Sequence, residues 1–276
     1  MVIITGNLLK TRIHSACLGI LIVSLILYLA GCDDDHRIRT QTVRITSLDQ
    51  VIPVNDSLVQ PVLYTHVSGF EKLPVATAKA KFIAALLPAI LIARYETLQH
   101  RQKLEILRTK QDWSRKDSSF YLMIQRQYRA KGVDDLIIRM GVLPVSIILA
   151  QAAMESGWGK SRFFVKGNNV FGIWSYLASE PRIPALIKRQ NKTIYLKAYP
   201  DLSHAIVNYF EVIGRAKSYR KLRAKLEHTR DPMALLPYLN HFSERGSLYT
   251  RQLRKVIAKN NLTKYDHYAI DPAYID

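Results

Sequence analysis

The chain is poor in cysteine and poor in acid, and both shortages exclude function classes. Only two cysteines, Cys17 and Cys32, stand among 276 residues. Cys17 falls inside an N-terminal apolar run that reads as a removable leader. That leaves Cys32 alone, so neither a disulfide framework nor a thiolate metal site is available. Aspartate and glutamate number 22 against 40 lysines and arginines, a formal charge of +18. The excess is spread along the chain rather than blocked in one tail, and no nucleic-acid motif accompanies it. The expected partner is therefore a membrane surface or an anionic polymer, with no nucleic acid. The eight histidines are scattered, with no His-x-x-x-His or His-Glu-x-x-His spacing, so no metal is implied. A glycine-rich phosphate loop and a Gly-x-Ser-x-Gly elbow are also missing, and no cofactor is expected. Internal repeats and low-complexity runs are absent too.

What is present begins with an export signal. Lys10 and Arg12 form a positive start, and the apolar stretch 16–30 is short for a membrane span. It ends in Leu29-Ala30-Gly31-Cys32, which resembles a bacterial lipoprotein cleavage box. Residues 1–31 are thus expected to be a signal peptide, with Cys32 acylated as a multi-chain lipid anchor. An uncleaved, short signal anchor is the alternative. Asp33 follows the cysteine, and in enteric-type bacteria lipoproteins with Asp there tend to stay in the inner membrane. The expected location is the cell envelope, on the periplasmic face of that membrane.

The most informative stretch is Ala150-Gln-Ala-Ala-Met-Glu-Ser-Gly-Trp-Gly-Lys-Ser161, followed by Gly167-Asn-Asn-Val-Phe-Gly-Ile-Trp174. Leu143-Pro144 opens a helix with proline in its tolerated first turn. Residues 145–154 are nearly all apolar or small, which predicts a helix buried on most sides. Gly157 and Gly159 end it. Glu155 then sits in the last turn, where the negative end of the helix dipole disfavours ionisation. Burial beside Trp158 pushes the same way, toward a raised pKa. A carboxylic acid kept protonated near neutral pH can protonate the leaving oxygen of a glycosidic bond. Set against this, a lone glutamate at a helix end is more often half of a structural ion pair.

The run Ala-Gln-Ala-x-x-Glu-Ser-Gly-Trp-Gly-Lys-Ser, then Asn-x-Phe-Gly-Ile, resembles the signature of the glucosaminidase domain of glycoside hydrolase family 73, whose members cleave bacterial peptidoglycan. More narrowly, the chain is similar to the bax-like proteins of Gram-negative bacteria. The resemblance covers roughly residues 80–260. It implies peptidoglycan glycan strands as the substrate and a lysozyme-like fold. Under it Glu155 is the general acid. Gln151, Ser156, Trp158, Asn168, Asn169, Phe171 and Trp174 are candidate substrate-binding residues. Trp158 and Trp174 are candidate platforms for a sugar face, while core packing is the favoured reading of Phe171. The Asn169 amide suits an N-acetyl group, although a turn residue bonding its own backbone is an equal reading. The segment Ser243-Glu-Arg-Gly-Ser-Leu-Tyr249-Thr resembles the family's C-terminal stretch, whose tyrosine points into the site. That makes Tyr249 a candidate catalytic partner. Glu244 and Arg245 read as a structural pair.

Glycosidases usually carry a second carboxylate. The candidate is Glu180, before a predicted hairpin that itself holds no acid. A solvated loop carboxylate is the competing reading. Attack helped by the substrate's own N-acetyl oxygen is accordingly the favoured mechanism. Two other activities stay open: a lytic transglycosylase, and a membrane-tethered peptidoglycan-binding or scaffold protein with a degenerate site.

The expected fold class is α+β, mostly helical and lysozyme-like, with a small β-hairpin lobe. Residues 32–75 mix charge, Val, Pro and Ser without periodicity and read as a tether. Residues 76–110 form a preceding helical segment, and 111–265 the catalytic domain. Within the latter, helices are expected at about 117–131, 133–140, 217–227, 232–239 and 246–259, with another capped by Tyr199-Pro-Asp-Leu-Ser203 and running to about 215. The hairpin pairs 183–190 with 193–198 around Asn191-Lys192.

Overall fold

Apolar residues run almost unbroken from Phe82 to Ala93, and this stretch becomes the middle of a long helix around which the rest is built. The computed structural model describes residues 37–186 and 192–276. The expected leader, the expected Cys32 anchor and residues 187–191 of the expected hairpin lie outside them. In chain order the elements are β1 (Gln41–Arg44), β2 (Leu58–Val59), β3 (Val62–Thr65), α1 (Val75–Thr109), α2 (Arg115–Tyr128), α3 (Val133–Arg139), α4 (Val145–Ser156), α5 (Arg162–Gly167), β4 (Trp174–Ser175), β5 (Arg182–Pro184), β6 (Tyr195–Lys197), α6 (Leu202–Arg215), α7 (Arg220–Leu226), α8 (Pro232–Leu235), α9 (Ser247–Lys259) and β7 (Ala269–Ile270). The fold is α+β and mostly helical, as the sequence predicts.

Helix α1 is long and apolar enough to cross a membrane by length and composition, but 67% of that apolar window is buried inside the protein. A helix apolar on every side is stable in water only when other elements cover it. Helices α4 and α6 pack along it, and so does β3. A smaller cluster at its far end joins Leu104 to Ile124, Tyr128, Leu136 and Met140 of the α2–α3 region.

The segment read as a tether is instead part of the core. Ile45, Val51, Val62, Tyr64, Val67 and Phe70 are buried in the same cluster as α1 and α4. Strands β1 and β3 pair in parallel, Gln41 opposite Val62 through Arg44 opposite Thr65. Strand β2 pairs in parallel with β7 near the C-terminus, and Ile38 bridges to Ile275. Polar residues between the apolar ones hide a period too short to see, because these strands are two to four residues long. The boundaries expected at 75, 110 and 265 therefore vanish: Ile38–Asp276 is one unit.

Phe70 shows how this works. It meets Phe82 edge-on at 5.9 Å and Phe164 at 6.1 Å. It also lies where a Cβ on Gly159 would come within 2.6 Å of its ring, so only glycine fits there. Gly167 plays the same part under the lobe, where an added Cβ would meet the Ile183 side chain at 2.6 Å. The lobe is a three-stranded antiparallel sheet in the order β4-β6-β5, with Leu196 buried between Trp174 and Ile183. A short helix, α5, precedes it; the sequence reading missed this element because six residues carry too little periodicity.

Replacing Phe70 by Ala is expected to cost about 3–5 kcal/mol of folding stability, as for large-to-small core changes. Urea denaturation would measure it, and an unchanged midpoint would restore the tether reading.

Candidate active site

Helix α4 is fixed at both ends. At its start the Ser146 amide and hydroxyl both donate to the Asp266 carboxylate, at 2.7 and 2.8 Å. An anion there satisfies donors that a helix N-terminus leaves open. Arg94 of α1 donates to the Leu143 carbonyl just upstream. Burial lowers the pKa of this guanidinium to about 10, partly offset by Asp266. At its end, Gly157, Trp158 and Gly159 all adopt positive φ, at 60°, 59° and 80°. For a tryptophan that is strained backbone. The conformation is held by a Trp158 N–H bond to the Ala153 carbonyl at 2.8 Å. The Ser156 hydroxyl donates to the Ala152 carbonyl and accepts from the Gly159 amide.

Glu155 sits half-buried in this last turn. Its Oε1 is buried with no hydrogen-bond partner among the described residues. Burial raises the carboxyl pKa, while the Tyr249 hydroxyl and the Arg245 charge pull it part of the way back. Tyr249, from the first turn of α9, is fully buried. Its hydroxyl interacts with Glu155 and accepts from Gln151 Nε2 at 3.1 Å. Tyr209 of α6 in turn donates its hydroxyl to Gln151 Oε1. Phe242 stacks on Tyr249 at 5.6 Å and meets Tyr209 edge-on, and Phe171 stacks on Tyr209 at 4.3 Å. Arg245 lies over the Tyr249 ring and bonds to Gln252 and Ser243.

The structure thus brings Glu155, Gln151 and the catalytic candidate Tyr249 together, and it buries several of the candidate substrate-binding residues. Gln151, Ser156 and Phe171 are buried among their neighbours. Asn169 is buried as well. Its amide donates to the Ile173 and Lys197 carbonyls and accepts from the Ile173 amide, so both its N–H groups and one lone pair are spent joining β6 to the turn before β4. Asn168, in the left-handed cap of α5, donates to the Tyr199 and Pro200 carbonyls. These amides are turn residues that seat the lobe. Trp158 packs edge-on against Phe82, with Lys79 over its ring at 4.8 Å. Trp174 does keep an exposed face, with the largely exposed Tyr176 ring beside it.

Glu180 lies elsewhere. It pairs with Lys197 at 2.8 Å. Burial pushes it up, but Lys197, Ser175 and the Leu177 amide outweigh that and hold its pKa below the usual range. It lines a hollow of about 430 Å³ with Glu96, Lys197, His204 and Glu211, and Glu155 does not line that hollow. No carboxylate is among the groups that act on Glu155. Sequence reasoning missed Tyr209 as a site-building residue, and Arg245 as one that faces Glu155. The tyrosine lies 58 positions away on an ordinary amphipathic helix, where only the fold shows the contact. Tyr176 could have been found, as an aromatic two residues beyond Trp174.

Residues 130–276 match the family model "Glucosaminidase: Mannosyl-glycoprotein endo-beta-N-acetylglucosaminidase", more than half of the chain. Protein bax of Escherichia coli (strain K12) is 24% identical over 195 residues, covering 66% of this chain and 70% of that protein. Among solved structures, the catalytic domain of the autolysin Auto from Listeria monocytogenes is 21% identical, with a TM-score of 0.38, over 61% of this chain and 96% of that one. A peptidoglycan hydrolase from Sphingomonas sp. A1 is 22% identical with a TM-score of 0.36, over 51% and 92%.

Two outcomes follow from this geometry. Asn169→Ala is expected to cost about 3 kcal/mol, because it strands buried backbone groups; thermal unfolding would show it. For Glu155, a folded pKa above the unfolded one means that stability falls as pH rises through the interval between them. Glu155→Gln is therefore expected to unfold at a higher temperature than the parent at pH 8, with the gap closing below about pH 4, the unfolded carboxyl range.

Proposed function

This chain belongs to the glucosaminidase family, and we propose that it is a peptidoglycan hydrolase that cuts the N-acetylglucosamine-β-1,4-N-acetylmuramic acid bond with Glu155 as general acid. One observation carries this reading. In the family-matched segment, a half-buried carboxyl with a raised pKa and an unpartnered oxygen ends a buried helix. An unpartnered buried polar atom in an otherwise satisfied structure calls for an explanation. A substrate oxygen that receives a proton from Glu155 supplies one.

The chemistry follows from the groups present. Glu155 gives its proton to the glycosidic oxygen as the bond to the anomeric carbon breaks. With no carboxylate acting on Glu155, the N-acetyl carbonyl oxygen of the substrate closes on that carbon. Water then opens the ring so formed and returns a proton to Glu155. The product keeps its anomeric configuration; an inverted product would favour a bound water with a second base. Trp174 and Tyr176 are the accessible aromatic surface for a sugar face.

The acylated Cys32 would tether the enzyme to the periplasmic face of the inner membrane, where a basic surface meets anionic wall and lipid. A second reading, a tethered wall-binding or scaffold protein, draws on the pairing of Glu180 with Lys197.

Residues 33–276 are expected to release N-acetylglucosamine reducing ends from purified sacculi, seen by borohydride reduction and mass spectrometry. Glu155→Gln should abolish the ends yet still pellet with sacculi. Pelleting without new ends from the parent would select the binding reading, and anhydro-sugar ends a lytic transglycosylase. Trp174→Ala is expected to raise KM several-fold and leave kcat nearly unchanged, the signature of lost uniform binding.

A further inference from the structure

The buried groups behind Glu155 form a hydrogen-bond chain with one direction. Tyr209 donates its hydroxyl to Gln151 Oε1. The other end of the same amide, Nε2, donates to the Tyr249 oxygen. A tyrosine hydroxyl has one proton. With its oxygen accepting from Gln151, Tyr249 keeps that proton available toward the neighbouring Glu155 carboxyl, which acts on it. Tyr209, Gln151 and Tyr249 are fully buried, so water cannot substitute for the bonds between them.

The direction matters chemically. If the amide were reversed, Tyr249 would donate to Gln151 and present lone pairs to Glu155. A protonated Glu155 would then be favoured. In the direction seen, Tyr249 donates toward Glu155 and favours the carboxylate. Tyr209 fixes this choice, because its hydroxyl bonds the amide oxygen and holds it away from Tyr249.

We propose that Gln151 and Tyr209 are positioning residues that lock the Tyr249 hydroxyl as a donor to Glu155, stabilising the carboxylate left when the acid gives up its proton. This rests on the reading of Glu155 as general acid. Burial alone would hold the acid protonated, and a proton held too firmly is not transferred. The chain offsets that, and its dipoles are already oriented before charge develops.

The other groups around Glu155 do not duplicate this role. Arg245, in the turn before α9, acts on it as an exposed charge. Lys79 of α1 lies over the Trp158 ring, and Asp266 binds the opposite end of α4. Tyr219 faces Tyr209 and Tyr249 rather than Glu155.

The test is Tyr209→Phe, which removes one hydroxyl at the far end of the chain and touches neither Glu155 nor substrate. The Glu155 titration midpoint is read by carboxyl NMR on glutamate-labelled residues 33–276, with Glu155→Gln to assign the signal. The expected result is an upward shift, with the basic limb of the kcat/KM profile moving the same way. Gln151→Leu should shift it at least as far, and serves if Tyr209→Phe does not fold. An unmoved or lowered midpoint in a folded variant would overturn the proposal, even if activity or melting temperature fell. Because the titration needs no substrate, a shifted midpoint in a protein that cuts no glycan would sink the hydrolase reading and leave the chain standing.

Discussion

One buried amide sets the geometry of this site. Gln151 is a polar side chain on a helix otherwise made of Val, Ile, Leu and Ala, and it has no exposed surface. An unmet amide in such a place costs a few kcal/mol, about 1–3 for each stranded group. It is met by Tyr209 on α6 and Tyr249 on α9, so α4, α6 and α9 are held in one register by a single side chain. Hydrophobic packing around it has no such direction: many small shifts of these helices would bury the same apolar area. The amide removes that freedom. The stacked rings of Phe171, Phe242 and the two tyrosines then fill the space its bonds define.

The same constraint explains which parts of the site could be read from the sequence. Glu155 was legible because helix end, glycines and carboxylate are neighbours in the chain. The long helices were legible because their apolar period repeats over several turns, and α1 through α4 and α6 through α9 fall within a few residues of the expected positions. The surroundings of side chains were not legible. Gln151 and Glu155 are one turn apart on the same face of α4, both toward Tyr249, yet one is fully buried and the other only half. Asn168 and Asn169 look like substrate amides in the string of letters. Only the positions of the Ile173, Lys197, Tyr199 and Pro200 carbonyls reveal that the N–H donors of both are spent on backbone. Hydrogen-bond capacity is finite, and residue type alone does not show who has claimed it.

The N-terminal segment was missed for a related reason. Its strands are too short to show alternation, and all three pair in parallel, β1 with β3 and β2 with β7 at the C-terminal end of the chain. Composition suggested a linker because Pro, Asp and Ser separate the apolar residues. Those apolar residues are nonetheless enough to cover one side of α1, which would otherwise expose an apolar surface to water.

That cover reaches the site itself. Phe70 packs on Phe82, Phe82 packs on Trp158, and Phe70 also fills the space beside Gly159. The turn that follows Glu155 contains three successive positive φ values, one of them at a tryptophan. Strain of this kind persists only where the surroundings over-determine it. Here the surroundings are the hydrogen bonds of α4 itself together with the packing of α1 and the N-terminal segment, both of which lie outside the family match. The acid is therefore placed by two independent supports. Gln151 and its tyrosines hold the inner side of α4, and the Phe70–Phe82–Trp158 stack holds the turn at its end. Residues 130–276 alone would keep the first support and lose the second. The part of the chain that lies outside the family match is thus structurally part of the Glu155 turn, and the compact unit begins well before the segment that carries its motif.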